Sequence, residues 1–247
     1  MAAKDTAKGA PPPAELRLAL PPGHQDGPEV IITVRRSAQA VRMSLRVDAM
    51  NDGFVLVLPL RANLRDGKRF VDANQAWIAE RLAALPPRRP FVAGAKVPLL
   101  GEDHLIHHQP AARRGVWREP GMILVSGQAD HLARRLQDFL KAEARRIILP
   151  RVEQKAAHLQ TSFRRVTLRD TRSRWGSCSS AGDLAFSWRL VLAPEWVLDY
   201  VVAHEVAHLR EMNHSPRFWQ LVAKISPDAA PARQWLKAHG AGLHRVG

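Results

Sequence analysis

The residues with the clearest chemical potential are His204-Glu205-x-x-His208, with His214 shortly after them. Residues four apart on a helix share one face, with Cβ atoms about 5–6 Å apart, so two imidazoles can reach one metal ion. The glutamate beside the first histidine can accept a proton from a metal-bound water. The pattern therefore predicts Zn2+ held by His204, His208 and His214, with Glu205 as the general base. Three protein ligands leave a fourth position open, as in catalytic zinc sites.

Local signals predict how the chain positions these side chains. Pro194 suits the first position of a helix that carries the first two histidines, because its missing N–H is no loss there. Met212-Asn213 should end this helix, and Ser215-Pro216 has the N-cap and N1 residues of the next one. We therefore expect His214 in a tight turn between two helices, from which it can reach back toward the first pair.

Other residues near this segment are candidates for roles in catalysis. Arg172, Arg174 and Tyr200 could stabilise negative charge on a scissile carbonyl oxygen, although each could equally be structural. A strand predicted at 184–192 could hold a peptide substrate by edge pairing. Cys178, in a polar Gly-Ser-Cys loop, is a competing candidate nucleophile, but no partner histidine is identifiable from the sequence. A packing role for Cys178 is the simpler interpretation.

Composition limits the classes of protein. The chain has 247 residues, 46% of them hydrophobic, and one cysteine, which excludes an intramolecular disulfide framework. No signal peptide or transmembrane run is apparent, so we expect a cytoplasmic protein without membrane contact. A net charge of +14 makes nucleic acid a candidate partner beside a polypeptide substrate. The alternative function is a nucleic-acid-associated zinc protein, either a protease acting on nucleic-acid-bound proteins or a basic binding module with a weakly active site.

The pattern of apolar residues predicts an α+β fold in three segments. Residues 1–28 are proline-rich and are expected to be a disordered tail. Residues 29–128 should form an antiparallel β-rich subdomain, with a meander of strands at 30–34, 41–47 and 54–58, a helix at about 65–85, and further short strands. His104, His107 and His108 lie among those strands and are interpreted as surface histidines.

Residues 129–247 should form the domain that carries the histidine helix. A long helix is predicted from 130 to 148, with Pro150 expected to kink or break it before 152–159. Strands at 165–169 and 184–192, a helix at 217–225 and a last helix at 232–239, ended by Gly240, complete the prediction.

Several motifs together resemble one family. They are His204-Glu205-x-x-His208, Asn213-His214-Ser215-x-x-Phe218-Trp219, and the upstream Trp175-Gly176-Ser177-Cys178. Over about residues 29–240 the chain resembles the YgjP-like (DUF45) metallopeptidases. The resemblance implies a zincin-like domain related to the SprT and WLM proteases, with zinc ligation by the three histidines and Glu205 as catalytic base. Glu211 stands where the metzincin motif has glycine, so a metzincin-type bend is not implied.

Overall fold

The computed structural model describes residues 14–19, 29–171 and 174–247. The chain divides into two compact units, Met1–Leu85 and Pro86–Gly247. This division differs from the boundary expected at residue 128, because the strands that follow residue 95 share one hydrophobic core with the C-terminal helices. Among the described residues, no helix has both the length and the apolar character that a membrane span requires.

The first unit contains a four-stranded mixed sheet and two helices. Its elements are β1 Glu15–Leu18, β2 Val30–Ser37, β3 Ser44–Asp48, β4 Gly53–Pro59, α1 Leu64–Asp72 and α2 Gln75–Ala83. The strand order is β1-β2-β4-β3, with β2 and β4 parallel. Buried side chains from the sheet and both helices, including Ile32, Phe54, Leu56, Val71 and Ile78, form its core.

Three predictions for this unit were wrong. Strand β1 lies inside the expected tail, because Leu16 and Leu18 pair with Ile32 and Val30; the other residues of 1–28, apart from 14 and 19, lie outside the described part. The meander is absent because β4, the most apolar strand, takes a central place between β2 and β3. The single helix at 65–85 is divided at Asn74, whose side chain donates to the Phe70 carbonyl at 2.7 Å.

The second unit begins with another four-stranded mixed sheet. Its strands are β5 Lys96–Leu99, β6 Glu102–Gln109, β7 Val116–Glu119 and β8 Met122–Ser126, in the order β5-β6-β8-β7. His107 is exposed as expected, but His104 is buried, so the surface interpretation was wrong for it. The Nδ1 atom of His104 lies 2.8 Å from the Glu102 carbonyl, and its Nε2 accepts from Arg118 at 2.9 Å.

The remainder of the second unit builds the site. Helix α3 spans Leu132–His158, and Pro150 does not end it. A three-stranded sheet of β9 Arg165–Arg169, β10 Gly176–Cys178 and β11 Asp183–Ser187 has the order β10-β11-β9. Helices α4 Glu195–Ala207, α5 Pro216–Ile225 and α6 Ala229–Leu243 follow.

Two predicted elements in this part need correction. The strand expected at 184–192 ends at Ser187, and Trp188–Leu192 forms a 3-10 turn whose residues are all buried. The Ser187 side chain accepts from the Arg189 N–H at 3.4 Å and thereby begins the turn. The last helix continues through Gly240 to Leu243, because Gly240 keeps helical backbone instead of the left-handed conformation of a C-cap glycine. Gly240 is buried, and a Cβ atom added to it would lie 3.1 Å from Cζ2 of Trp175.

Candidate metal centre

Helix α4 is the most deeply buried helix of the second unit and presents only a small part of its surface to solvent. Pro194 is its N-cap, one position earlier than expected, and His208 is its C-cap. Its packing against α3, α5 and α6 buries the following residues: Val197, Leu198, Tyr200, Val201, Val202, Ala203, Glu205, Val206 and Ala207. His204 and His208 remain partly exposed, so the open side of an otherwise apolar helix carries the imidazoles.

The third histidine is held between two local hydrogen bonds in the connection from α4 to α5. The Asn213 side-chain oxygen accepts from the Ser215 N–H at 3.1 Å, and the Ser215 hydroxyl accepts from the Phe218 N–H at 3.3 Å. These bonds form the N-cap of α5 and fix the path of the chain on both sides of His214. The Nε2 atom of His214 consequently lies 3.1 Å from the Nε2 atom of His204.

The three imidazoles have the spacing of ligands to one metal ion. One ring nitrogen each from His204, His208 and His214 lie within 4.8 Å of one another. Two nitrogens bound at 2.0–2.1 Å to a tetrahedral zinc ion would be separated by roughly 3.3–3.4 Å, close to the separation of His204 and His214. An all-imidazole set suits zinc and related transition metals rather than magnesium or calcium. The residues therefore fit a zinc ion with one open position.

Hydrogen bonds and burial prepare two of the rings for metal binding. The Nδ1 atom of His208 lies 3.0 Å from the Glu211 carbonyl oxygen, which can only accept a hydrogen bond. Nδ1 therefore carries the proton of the neutral ring, and Nε2 is left free as a ligand. The Tyr200 hydroxyl lies 3.4 Å from Nδ1 of His204. Burial, aided by the neighbouring positive charges, lowers the pKa of His204 to about 4, and burial also lowers the pKa of His208. Neutral imidazole is the form that binds a metal.

Phe218 forms an aromatic floor beneath all three histidines. Its ring centroid lies 4.9 Å from that of His204, 4.5 Å from that of His208 and 4.8 Å from that of His214. The side chain is fully buried. Because one rigid ring touches every candidate ligand, Phe218 restricts the rotamers of all three at once.

Glu205 lies beside the histidines and is 6% exposed. Burial raises the pKa of its carboxyl group to about 7, although the charge of Arg174 opposes the rise. A Cβ atom built on Gly176 of β10 would lie 2.5 Å from Cγ and 2.6 Å from Oε1 of Glu205. The carboxyl group therefore occupies space that only glycine leaves open at that position of the strand.

A cleft of about 370 Å³ opens onto these groups and gathers most of the predicted site residues. Its lining comprises Arg174, Trp175, Gly176, Tyr200, Val201, His204, Glu205, Arg233 and Leu236. Tyr200 and Arg174 thus lie where the sequence suggested, whereas Arg172 lies outside the described residues. Sequence reasoning missed Gly176 as a contact of Glu205, although it belongs to a recognised motif. It also missed Arg233, for which no local signal exists.

Cys178 is poorly suited to act as a nucleophile. Burial, with a contribution from nearby carboxylates, raises the pKa of its thiol to about 11, and its Sγ lies 3.4 Å from the Ser179 carbonyl. A thiol in this state is almost fully protonated at neutral pH, whereas the thiolate is the reactive form.

Comparison with known proteins identifies the family. The model of the YgjP-like metallopeptidase domain matches residues 41–239. The chain belongs to the YgjP-like family. The matched range includes β10, the histidine helix α4 and most of α6. Membership places the chain among metallopeptidases and implies a metal ion, for which the three histidines are a suitable set.

Two further comparisons contribute less. The solved structure titled "Crystal structure of the metallopeptidase zymogen of Pyrococcus abyssi abylysin" is 23% identical to this chain, with a TM-score of 0.34. The alignment covers 36% of this chain and 93% of that one. A search of the curated proteins finds no match to the chain.

Proposed function

We propose that this YgjP-like protein is a zinc-dependent peptidase that hydrolyses peptide bonds with Glu205 as general base. The observation that carries the proposal is the cluster of three histidine nitrogens within 4.8 Å, beside one buried carboxyl group in an open cleft. A zinc ion held by His204, His208 and His214 would supply Lewis acidity toward the scissile carbonyl and would lower the pKa of a coordinated water.

Glu205 has the environment of a proton shuttle. Burial raises the pKa of its carboxyl group to about 7, near the pH at which a group can both accept and return a proton. In the proposed reaction, Glu205 takes a proton from the attacking water and passes it to the leaving amine. Bound zinc would favour the ionised form of Glu205, the form that accepts the proton.

Strand β10 is the element we propose for holding the peptide. The sequence suggested the strand at 184–192, but β11 lies between β9 and β10, so both of its sides are already paired. Strand β10 is an edge strand, and its Gly176 contacts Glu205. A peptide that added to this edge in extended conformation would pass directly beside the general base.

Tyr200 and Arg174 are the candidates for stabilising charge on the carbonyl oxygen. Both line the cleft. Burial raises the pKa of the Tyr200 hydroxyl, so it stays protonated and can donate a hydrogen bond at neutral pH. Its position 3.4 Å from His204 Nδ1 gives it a second role, which is to orient that ring. The expectation for Arg172 remains a prediction from the sequence.

Metal removal tests the proposal with the wild-type protein. Purified protein should contain about one zinc ion per chain and should cleave a fluorogenic peptide library. A chelator should abolish cleavage, and added zinc should restore it. Cleavage that persists in protein shown to be free of metal would contradict the proposal.

Nucleic-acid contact remains a separate prediction from the net charge of +14. Phosphate contacts release counterions, so a real interaction should weaken steeply between 50 and 200 mM salt. Binding of a DNA duplex that ignores salt over this range would argue against it.

A further inference from the structure

The cleft beside the histidines has an excess of positive charge. Arg174 and Arg233 line it, and among the residues that the structure describes Glu205 is the one acidic residue in its lining. Within the described part of the chain, neither guanidinium has a carboxylate at ion-pair distance. Nearby acidic side chains have other partners: Asp170 pairs with Arg189, Asp183 with Arg164, and Asp199 with Lys155.

Arg233 is held close to the candidate metal centre by an aromatic contact. Its guanidinium carbon lies 4.8 Å from the centre of the Trp219 ring, and that ring stacks on His214 with centroids 5.8 Å apart. A guanidinium stacked by its face keeps its N–H donors free at its edge. Leu236, one turn further along α6, also lines the cleft, so this face of the helix is directed into it.

Both arginines lie among the groups that would face a substrate. Arg174 and Arg233 line the same cleft as His204 and Glu205. The Trp219 ring, over which the Arg233 guanidinium lies, has its centroid 6.0 Å from that of His204. Each arginine is therefore near enough to the reacting centre to contact substrate residues that flank the scissile bond.

We propose that Arg233, together with Arg174, binds a carboxylate of the peptide substrate next to the scissile bond. This inference rests on the proposed peptidase function and names its preferred substrates as peptides with an acidic side chain, or a free C-terminal carboxylate, at that place. A guanidinium and a carboxylate form paired charge-assisted hydrogen bonds, which are among the stronger polar contacts in proteins. A substrate carboxylate would also neutralise part of the charge in the cleft.

Three matched peptides and two arginine variants test the inference. The peptides are fluorogenic and differ only at positions flanking the cleaved bond. The first carries Glu and an amidated C-terminus, and the second carries Gln and an amidated C-terminus. The third carries Gln and a free C-terminus. The wild type should show a kcat/KM for one carboxylate peptide at least about tenfold above that for the amidated Gln peptide, the size of one charge-assisted contact. Whether the Glu peptide or the free C-terminus is preferred identifies the source of the carboxylate.

The variant Arg233→Gln should reduce this preference to about threefold or less. Arg217→Gln is the matched control, because Arg217 is an exposed arginine on α5 outside the cleft lining, and it should keep the wild-type ratio. An equal kcat/KM for all three peptides in the wild type would overturn the inference. A uniform loss for all peptides in Arg233→Gln would also overturn it, because that pattern indicates a role toward the carbonyl oxygen.

A binding measurement separates this inference from the proposed hydrolysis. Fluorescence anisotropy of the same peptides on zinc-loaded Glu205→Gln protein reports recognition without turnover. Tighter binding of a carboxylate peptide, lost in the Arg233→Gln, Glu205→Gln double variant, supports the inference even if wild-type protein cleaves nothing. Equal affinity for all peptides overturns it, whatever the outcome of the hydrolysis assays.

Discussion

Replacing Gly176 by alanine tests how closely the chain positions its general base. The added Cβ would lie 2.5 Å from Cγ, 2.6 Å from Oε1 and 2.7 Å from Cδ of Glu205. Carbon atoms in good contact are about 3.5–4.0 Å apart, so the side chain must retreat by roughly 1 Å. Because Glu205 is 6% exposed, it has little free space in which to do so.

The displacement should lower activity strongly in a protein that still folds. Misplacing a catalytic group by 1 Å can cost about 10²-fold in rate, or about 2.7 kcal/mol in activation free energy. Overpacking a buried site typically costs about 1–3 kcal/mol of folding free energy, and we expect Gly176→Ala to fall in this range because the atoms that must move belong to one side chain and not to the backbone. We therefore expect kcat/KM to fall by about 10²-fold in protein that remains folded and binds zinc.

Peptide cleavage, zinc content and urea unfolding should be measured on the same preparations. Gly242→Ala is the matched control, because its Cβ would meet Pro86 at 3.8 Å, an ordinary contact, and it lies outside the cleft lining. The control should retain wild-type activity. A Gly176→Ala protein with wild-type kcat/KM would refute the claim that this glycine determines the position of Glu205.

Three further predictions concern a ligand, an ion pair and the thiol. His214→Ala should lower zinc affinity by at least about tenfold while the melting temperature of the metal-free protein stays unchanged, because the side chain is exposed; unaltered affinity in equilibrium dialysis would remove His214 from the ligand set. Burial alone would raise the pKa of Asp170, but the hydrogen bonds and charge of Arg189, with smaller contributions from Trp188 and His244, outweigh burial and lower the pKa overall. The pair therefore stabilises the fold above the unfolded-state pKa of about 3.9, and this stability is lost as pH falls through the lower folded pKa. Asp170→Asn should flatten the loss of urea stability below about pH 4, and an unchanged pH profile would contradict this. Cys178→Ala should retain peptide cleavage within about twofold of wild type, whereas loss of cleavage in folded, zinc-loaded protein would restore the thiol as a candidate nucleophile.

The clustering of the histidines was predictable because its causes are local. Helical periodicity brings His204 and His208 to one face, and the Ser215 N-cap fixes the turn that carries His214. The family resemblance was confirmed over residues 41–239, and the α+β class was confirmed as well. Each of these signals lies within a few consecutive residues or within one contiguous set of motifs.

The remaining features depend on which elements pack together, and short-range patterns do not encode that. Gly176 matters only because β10 crosses beside Glu205, and Arg233 because α6 packs against α4. The predicted order of strands in the first sheet was wrong for the same reason. Strand β4 lies between β2 and β3 because its apolar side chains are mostly buried, and the order of the strands along the chain does not reveal this. The apolar spacing of Leu16 and Leu18 was a local signal that the surrounding prolines obscured.

Turnover by zinc-loaded Glu205→Gln protein, compared with zinc-loaded wild type, tests the central claim most directly. Gln keeps the size of the side chain but cannot accept the proton of water. We predict one zinc ion per chain in both proteins and a kcat for the variant lower by about 10²–10⁴-fold, the usual contribution of a general base. Wild-type turnover in Glu205→Gln protein that holds zinc would contradict the assignment of Glu205 as the base.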